Sequence, residues 1–111
     1  MDRPTFFRNV LTSLLAPYDE QRYSYGELTN HLIVDQQGTH FLVVTEGWEH
    51  STHVQHILIH LMIQDDKIHV IKNATERDLE EELLEHGVQR VEIVPAHLPP
   101  ALRHLTDYVA A

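Results

Sequence analysis

The sequence predicts an α+β fold with an N-terminal helix and a four-stranded antiparallel meander sheet, followed by a helix, a short extended segment and a C-terminal helix. Residues 54–73 form two β-branched, apolar runs on either side of an Asp-Asp turn. Residues 2–17 carry apolar side chains at helical spacing, and residues 75–87 combine capping residues, carboxylates and a final glycine. Short turns between the strands favour an antiparallel meander.

The first helix is expected over residues 2–17. Asp2 is a candidate N-cap, Pro4 is tolerated in the first turn, and Pro17 ends the helix. Phe6 adjoins a stripe of five apolar residues at helical spacing, which are Phe7, Val10, Leu11, Leu14 and Leu15. This stripe is expected to pack on the sheet.

A tyrosine-rich connector and two strands follow the first helix. Residues 18–28 hold three tyrosines, for which packing against the sheet edge is favoured over a binding surface. The strands are predicted over residues 29–35 and 40–48, with a turn at residues 36–39 and a polar loop at residues 49–53.

The third and fourth strands form a hairpin whose register can be predicted. Pairing Gln64 with Lys67 places Ile63 opposite Ile68, Met62 opposite His69, Leu61 opposite Val70 and His60 opposite Ile71. One face then holds Ile57, Ile59, Leu61, Ile63, Ile68 and Val70, and the other holds His56, Leu58, His60, Met62, His69 and Ile71. The first face is uniformly apolar and should be the core, since a one-residue slip would exchange the faces. The second is too apolar to lie bare, so a second element or a partner chain is expected to cover part of it.

The second helix follows the hairpin. Two N-terminal capping pairs fit the sequence, Thr75 with Asp78 and Asn73 with Glu76. Carboxylates fill the early turns, where they favour the helix dipole and are expected to form a solvated face. Leu79 and Leu83 should face inward, and Gly87 should end the helix. Residues 88–94 can add a short edge segment, and Pro100 can start the last helix, through Val109.

Length and composition restrict the possible functions. The 111 residues, 42% of them hydrophobic, are expected to form one domain, residues 1–111. No apolar run approaches the roughly 20 residues that cross a bilayer, and the N-terminus lacks signal-peptide features, so a cytoplasmic protein is expected. The net charge of −9 disfavours direct nucleic-acid binding and suits a basic protein partner.

Catalytic and metal-binding signals are weak. The sequence has ten histidines and no cysteine, but in a strand His56 and His60 would lie about 13 Å apart. The best-placed pair is His60 with His69, and two histidines without a third ligand do not predict a metal site. No nucleophile motif or phosphate-binding loop is present, so no enzymatic activity and no cofactor are expected. For Trp48, packing in the core or at the sheet edge is favoured over an interface anchor.

The order of short motifs resembles that of the XisI family, the excision controlling factors associated with a DNA element in cyanobacteria. The matching fragments are the Met-Asp-Arg start, Ser24-Tyr25-Gly26-Glu27, Gly47-Trp48, His60, Lys67-Ile68, Thr75-Glu76, Glu82-Leu83, Gly87-Val88, Ile93-Val94, His97, Pro99-Pro100, Arg103, Thr106 and Tyr108. Each fragment is short, but together they keep their order over about 100 residues.

This resemblance implies a small non-enzymatic accessory protein in DNA element excision, with an XisH-like nuclease-fold protein as its partner. For such a partner-binding protein, the candidate contact residues in this sequence are Trp48, His60, His69, His97, Arg103 and Tyr108. Self-association is also expected, because the mixed hairpin face needs cover. A homo-oligomer with a small-ligand pocket lined by His56, His60 and Tyr108 is the alternative, and an enzyme using His60 or His97 with a carboxylate is a third hypothesis.

Overall fold

The computed structural model describes residues 2–19, 21, 27–106 and 108, and within these ranges the chain has an α+β fold. The elements in chain order are α1 (Arg3–Leu15), β1 (Glu27–Val34), β2 (His40–Glu49), β3 (Thr52–Gln64), β4 (Lys67–Asn73), α2 (Leu79–Glu85) and β5 (Ile93–Val94). The five strands form one sheet in the order β1-β2-β3-β4-β5. The predicted four-stranded antiparallel meander is present, and the short extended segment adds β5 parallel to β4.

Helix α1 forms as its sequence pattern predicts. The Asp2 carboxylate accepts a hydrogen bond from the Thr5 backbone N–H at 2.8 Å and caps the helix. All five residues of the predicted stripe are buried. In the connector that follows, Tyr18 packs against the buried cluster, whereas Tyr23 and Tyr25 lie outside the described residues.

The β1–β2 turn is held by one carboxylate. Asp35 accepts hydrogen bonds from the Thr39 backbone N–H at 2.7 Å and from the His40 N–H at 2.8 Å. The Thr39 hydroxyl donates a third, at 2.7 Å. These bonds, led by the one from His40, lower the pKa of Asp35 to about 2 because they stabilise the ionised form.

The β3–β4 hairpin confirms four of the five predicted pairs. Asp65 and Asp66 both have positive φ, 54° and 56°, as a two-residue hairpin turn requires. The register runs as predicted from the Gln64–Lys67 pair to the Leu61–Val70 pair. Beyond it the ladder shifts, so the prediction for the fifth pair was wrong: His60 lies opposite Lys72 and not Ile71.

A second irregularity, in the β2–β3 ladder between Val43 and Val44, changes the predicted faces of β3. Val44 pairs with Ile57, which therefore lies on the face away from the core, and Leu58 packs against the buried cluster. Both placements contradict the predicted alternation, because the bulge inserts an extra residue into β3. The β3 residues that precede the bulge therefore point to the opposite face from the one predicted.

The polar loop predicted at residues 49–53 is instead a tight connection between long strands. Glu49 pairs with Thr52, and His50 adopts the left-handed conformation with φ 58°. As a result His53 is a strand residue that pairs with Trp48. The polar composition of residues 49–53 indicates a loop, but β2 and β3 remain paired into this polar segment.

The hydrophobic core lies between one sheet face and the two helices. Helix α1 contributes its stripe, helix α2 contributes Leu79 and Leu83, and Val88 and Ile93 complete the cluster. The sheet contributes Phe41, Val43, Ile59, Leu61, Ile63, Ile68 and Val70. Every fully buried side chain of α1 and α2 therefore belongs to the same side of the sheet.

The N-cap of α2 differs from both predicted registers. Asp78 is the N-cap and accepts a hydrogen bond from the Glu81 N–H at 3.1 Å. The Asn73 side chain accepts from the Thr75 N–H at 3.0 Å and so forms a separate turn before the helix. The helix therefore begins at Leu79, one turn later than a cap at Thr75 would place it.

Gly87 ends α2 as predicted. Its φ is 96°, and the Val88 N–H reaches back to the Leu83 carbonyl at 3.0 Å. The predicted C-terminal helix is a 3₁₀ helix over Pro100–Leu105 with no buried residue. None of the helices in the described ranges is long and apolar enough to cross a membrane.

Candidate interaction surface

The sheet face away from the helices carries apolar side chains and histidines across β1, β2 and β3. Directly opposed residues share a face, and alternation puts residues 40, 42 and 44 of β2 opposite to the core side. Leu42 pairs with Ile33 and His60, His40 pairs with Met62, and Val44 pairs with Ile57. We call this surface the open face, made of Ile33, His40, Leu42, Val44, Ile57, His60 and Met62.

The open face is apolar but incompletely covered. Ile33 is 48% exposed, and the other six side chains are half-buried. At the β4–β5 end of the same sheet side, Val94 is fully buried opposite His69. The uncovered apolar surface is therefore concentrated on β1–β3, where the sequence predicted a face in need of cover.

Two histidines meet at the centre of the open face. His40 Nδ1 and His60 Nε2 lie 3.0 Å apart, so one ring donates a hydrogen bond to the other. Burial, followed by the charge of His40, lowers the pKa of His60. The open face therefore holds a half-buried, hydrogen-bonded histidine pair at its centre.

The Met62–His69 pair makes His60 and His69 diagonal neighbours on one face, as predicted, but the two rings are not the pair in contact. The ring Nε2 of His69 lies 3.3 Å from the Gln64 carbonyl oxygen, and the partner of His60 is His40. The sequence does not predict the contact with His40, because this contact depends on the β2–β3 register. The β3–β4 hairpin sequence gives no information about that register. Within the described part of the chain, no three His, Asp or Glu side chains are grouped as a metal site would require.

Trp48 lies at the far end of the sheet and is 48% exposed. Its ring centroid is 4.9 Å from that of His53, whose Nε2 lies 2.8 Å from the Glu46 carboxylate. Gly47 has φ 149°, and a Cβ there would lie 1.7 Å from the Glu27 carbonyl oxygen. The glycine therefore lets β1 approach β2 closely beside Trp48.

The other predicted contact residues belong to the C-terminal segment. The His97 N–H donates to the Val70 carbonyl at 2.8 Å, and Arg103 Nε donates to the Leu98 carbonyl at 3.0 Å. Tyr108 packs against the buried cluster, and burial raises its pKa. The six candidates are thus spread over the Trp48 end of the sheet, the strands β3 and β4, and the C-terminal segment.

The small-ligand pocket proposed from the sequence does not form as predicted. It required His56, His60 and Tyr108 to line one cavity. His60 belongs to the open face, whereas Tyr108 packs against the cluster on the helix side of the sheet. His56 is exposed opposite Thr45. These three side chains therefore do not enclose a common site.

Carboxylates crowd helix α2 and its start. Glu82 binds Arg77 through two hydrogen bonds, one of them between Nε and Oε2 at 2.9 Å, and Arg77 lowers the pKa of Glu82 against the opposing effect of burial. Burial raises the pKa of Glu80. Glu81 and Glu85, one helical turn apart, are exposed. We call the exposed carboxylates Glu76, Asp78, Glu81 and Glu85 the acidic patch.

The family model described as XisI protein matches residues 1–110. The chain belongs to the XisI family. The crystal structure of fdxN element excision controlling factor XisI from Anabaena variabilis matches with a TM-score of 0.85 and 28% identity, covering 99% of this chain and 100% of that one.

A second solved structure of the XisI family agrees with the first. The XisI-like protein from Anabaena variabilis matches with a TM-score of 0.88 and 30% identity, over 97% of this chain and 99% of that one. Among curated proteins, none matches this chain. The XisI fold, with its N-terminal helix and mostly antiparallel sheet, is therefore shared nearly end to end.

Proposed function

We propose that this XisI-family chain is a non-enzymatic accessory protein that controls DNA element excision by binding an XisH-like nuclease-fold partner. The observation that supports this most is family membership, since one similar protein is named an fdxN element excision controlling factor. Regulation by contact requires a surface that complements the partner, and the acidic patch offers one.

Charge favours the acidic patch as the contact for such a partner. A protein that binds DNA needs a basic surface for the phosphates, and a chain with net charge −9 is attracted to that surface. Two predicted contact residues border the acidic patch, because Tyr108 is influenced by the charges of Asp78 and Glu81. His97 similarly affects the neighbouring Glu80. The patch and these residues together form the proposed partner surface.

The test is co-expression with an XisH-like protein, followed by affinity purification and mass determination by light scattering. We expect a stable heteromeric complex. The charge-reversal variant Glu81→Lys/Glu85→Lys should weaken the complex by about tenfold or more and reduce its salt dependence, because it removes electrostatic attraction at the contact.

The matched control is Glu27→Lys/Glu49→Lys, which changes the net charge equally at exposed strand ends near Trp48. We expect this control to retain the complex. Equal losses in both double variants would contradict the acidic patch as the contact, and failure of the wild-type chain to associate at all would contradict the proposed function.

A further inference from the structure

We propose that His40, His60 and Met62 on the open face form a binding site for a soft monovalent metal ion, Cu(I). The proposed site is independent of the proposed function, which uses the acidic patch. Three observations support it: the convergence of two ring nitrogens, the sulfur donor beside them, and the charge of the groups around them.

The two histidine rings already converge as they would around one metal ion. His40 Nδ1 and His60 Nε2 come from neighbouring strands and lie 3.0 Å apart. Two imidazole nitrogens that each bind one ion at about 2.0 Å, at tetrahedral to trigonal angles, are separated by roughly 3.3–3.5 Å. A shift of a few tenths of an ångström therefore converts the hydrogen-bonded pair into two ligands. No net proton loss is required, since each neutral ring can carry its proton on the other nitrogen.

Met62 supplies a third donor on the same side of the sheet. It lies directly opposite His40 in the β2–β3 ladder and two residues after His60 on β3, so the three side chains share a face. Directly opposed Cβ atoms are about 5 Å apart, and the three rotatable bonds of Met let its thioether reach a neighbouring group. His69, on the other side of Met62, keeps its Nε2 3.3 Å from the Gln64 carbonyl oxygen and is not needed.

The donor set and its surroundings favour a soft ion of low charge. Imidazole nitrogen and thioether sulfur are neutral donors, and the sulfur favours Cu(I) over the hard ions Mg²⁺ and Ca²⁺. Asp35, which accepts a hydrogen bond from the His40 backbone N–H, already accepts two more from Thr39.

Charge acts in the same direction. Among the described residues, no Asp or Glu groups with the two histidines, so the charge of a bound ion is not neutralised by its ligands. Lys72 lies opposite His60 on β4 and adds a positive charge. This charge repels a divalent ion twice as strongly as it repels Cu(I).

Partial burial gives the site both shielding and access. The side chains of His40, His60 and Met62 are half-buried. Leu42 lies opposite His60 and brings an apolar side chain beside it. An apolar surround limits the access of water to a bound metal, and the exposed part of the donors provides the entry path that a metal site needs.

The experiment titrates Cu(I) into the anaerobic protein in competition with a coloured Cu(I) chelator. We expect one Cu(I) per chain, with nitrogen and sulfur neighbours in X-ray absorption at the copper edge. His60→Gln should weaken binding by about a hundredfold or more, since loss of a group that only supports a ligand already costs roughly 10–100-fold. Met62→Leu nearly keeps the side-chain volume but removes the sulfur. The sulfur signal should then vanish, and the affinity should fall by about tenfold or more.

The matched control is His56→Gln, which removes the same ring from an exposed position of the same strand, opposite Thr45. This control should bind Cu(I) as the wild type does, and circular dichroism should show that all variants are folded. If His60→Gln does not fold, Met62→Leu and the sulfur signal of the wild type decide the proposal.

Three results would overturn the proposed site. The wild-type chain could fail to take Cu(I) from the chelator. Equal affinity in the wild type, His60→Gln and Met62→Leu would place the ion on other surface histidines. Zn²⁺ bound as tightly as Cu(I) would contradict selection of a soft monovalent ion. None of these results would remove the proposed accessory function, which co-expression tests separately.

Discussion

Replacing Gly47 by alanine is expected to cost at least about 3 kcal/mol of the free energy of unfolding, from a total of roughly 5–15 kcal/mol for a domain. Gly47 has φ 149°, which side chains rarely adopt. A Cβ at this position would lie 1.7 Å from the Glu27 carbonyl oxygen and 2.9 Å from the Leu28 Cα. Because both neighbours are backbone atoms of β1, the strands must separate to make room. Chemical denaturation monitored by circular dichroism measures the loss.

Gly38→Ala is the control for Gly47→Ala. Gly38 also has positive φ, 70°, but the nearest atom to an added Cβ is Arg8 Nε at 2.9 Å, at the end of a flexible side chain. Arg8 can move at the loss of one hydrogen bond to the Gly38 carbonyl. We expect a cost of about 1–2 kcal/mol, from the left-handed conformation. Equal costs for the two alanines would show that the close approach of β1 does not constrain Gly47.

Local sequence signals determined the hairpin well up to its first irregularity. The Asp65-Asp66 turn and the alternation of apolar residues fix the pairing near the turn, because a slip would expose the core face. The strand pairing shifts beyond Leu61 and after Val43. The residue types at these two positions do not mark a bulge. Alternation carried past such a bulge assigns each side chain to the wrong face, which explains the errors at Ile57 and Leu58.

The candidate surface depended on pairing between distant strands. The hairpin pattern predicts His60 on the mixed face, but its contact with His40 joins residues 20 positions apart. Nothing in the sequence near His60 indicates which β2 residue lies opposite it. The sequence therefore favours His69, which is closer along the hairpin, although the ring of His69 contacts the Gln64 carbonyl. The family resemblance implies a biological role for these residues, but it does not predict which of their side chains are in contact.

The second large effect is expected from Phe7→Ala, at about 3–5 kcal/mol of the free energy of unfolding. Phe7 is fully buried in the cluster between α1 and the sheet. Its truncation leaves a cavity, since close-packed neighbours on both the helix and the strands relax only partly. Denaturant midpoints at constant slope measure the change, and a loss below about 1 kcal/mol would contradict this packing.

The adjacent Phe6 supplies the matched control, because Phe6→Ala removes the same ring from the same helix turn. Phe6 is only partly buried, and its ring lies under the Arg3 guanidinium, 4.6 Å from the centroid. We therefore expect a cost of about 1 kcal/mol for Phe6→Ala. Helical spacing assigned Phe7 to the stripe and placed Phe6 beside it, but their burial depends on how α1 is rotated on the sheet. A reversed order of the two costs would mean that α1 packs with its other edge inward.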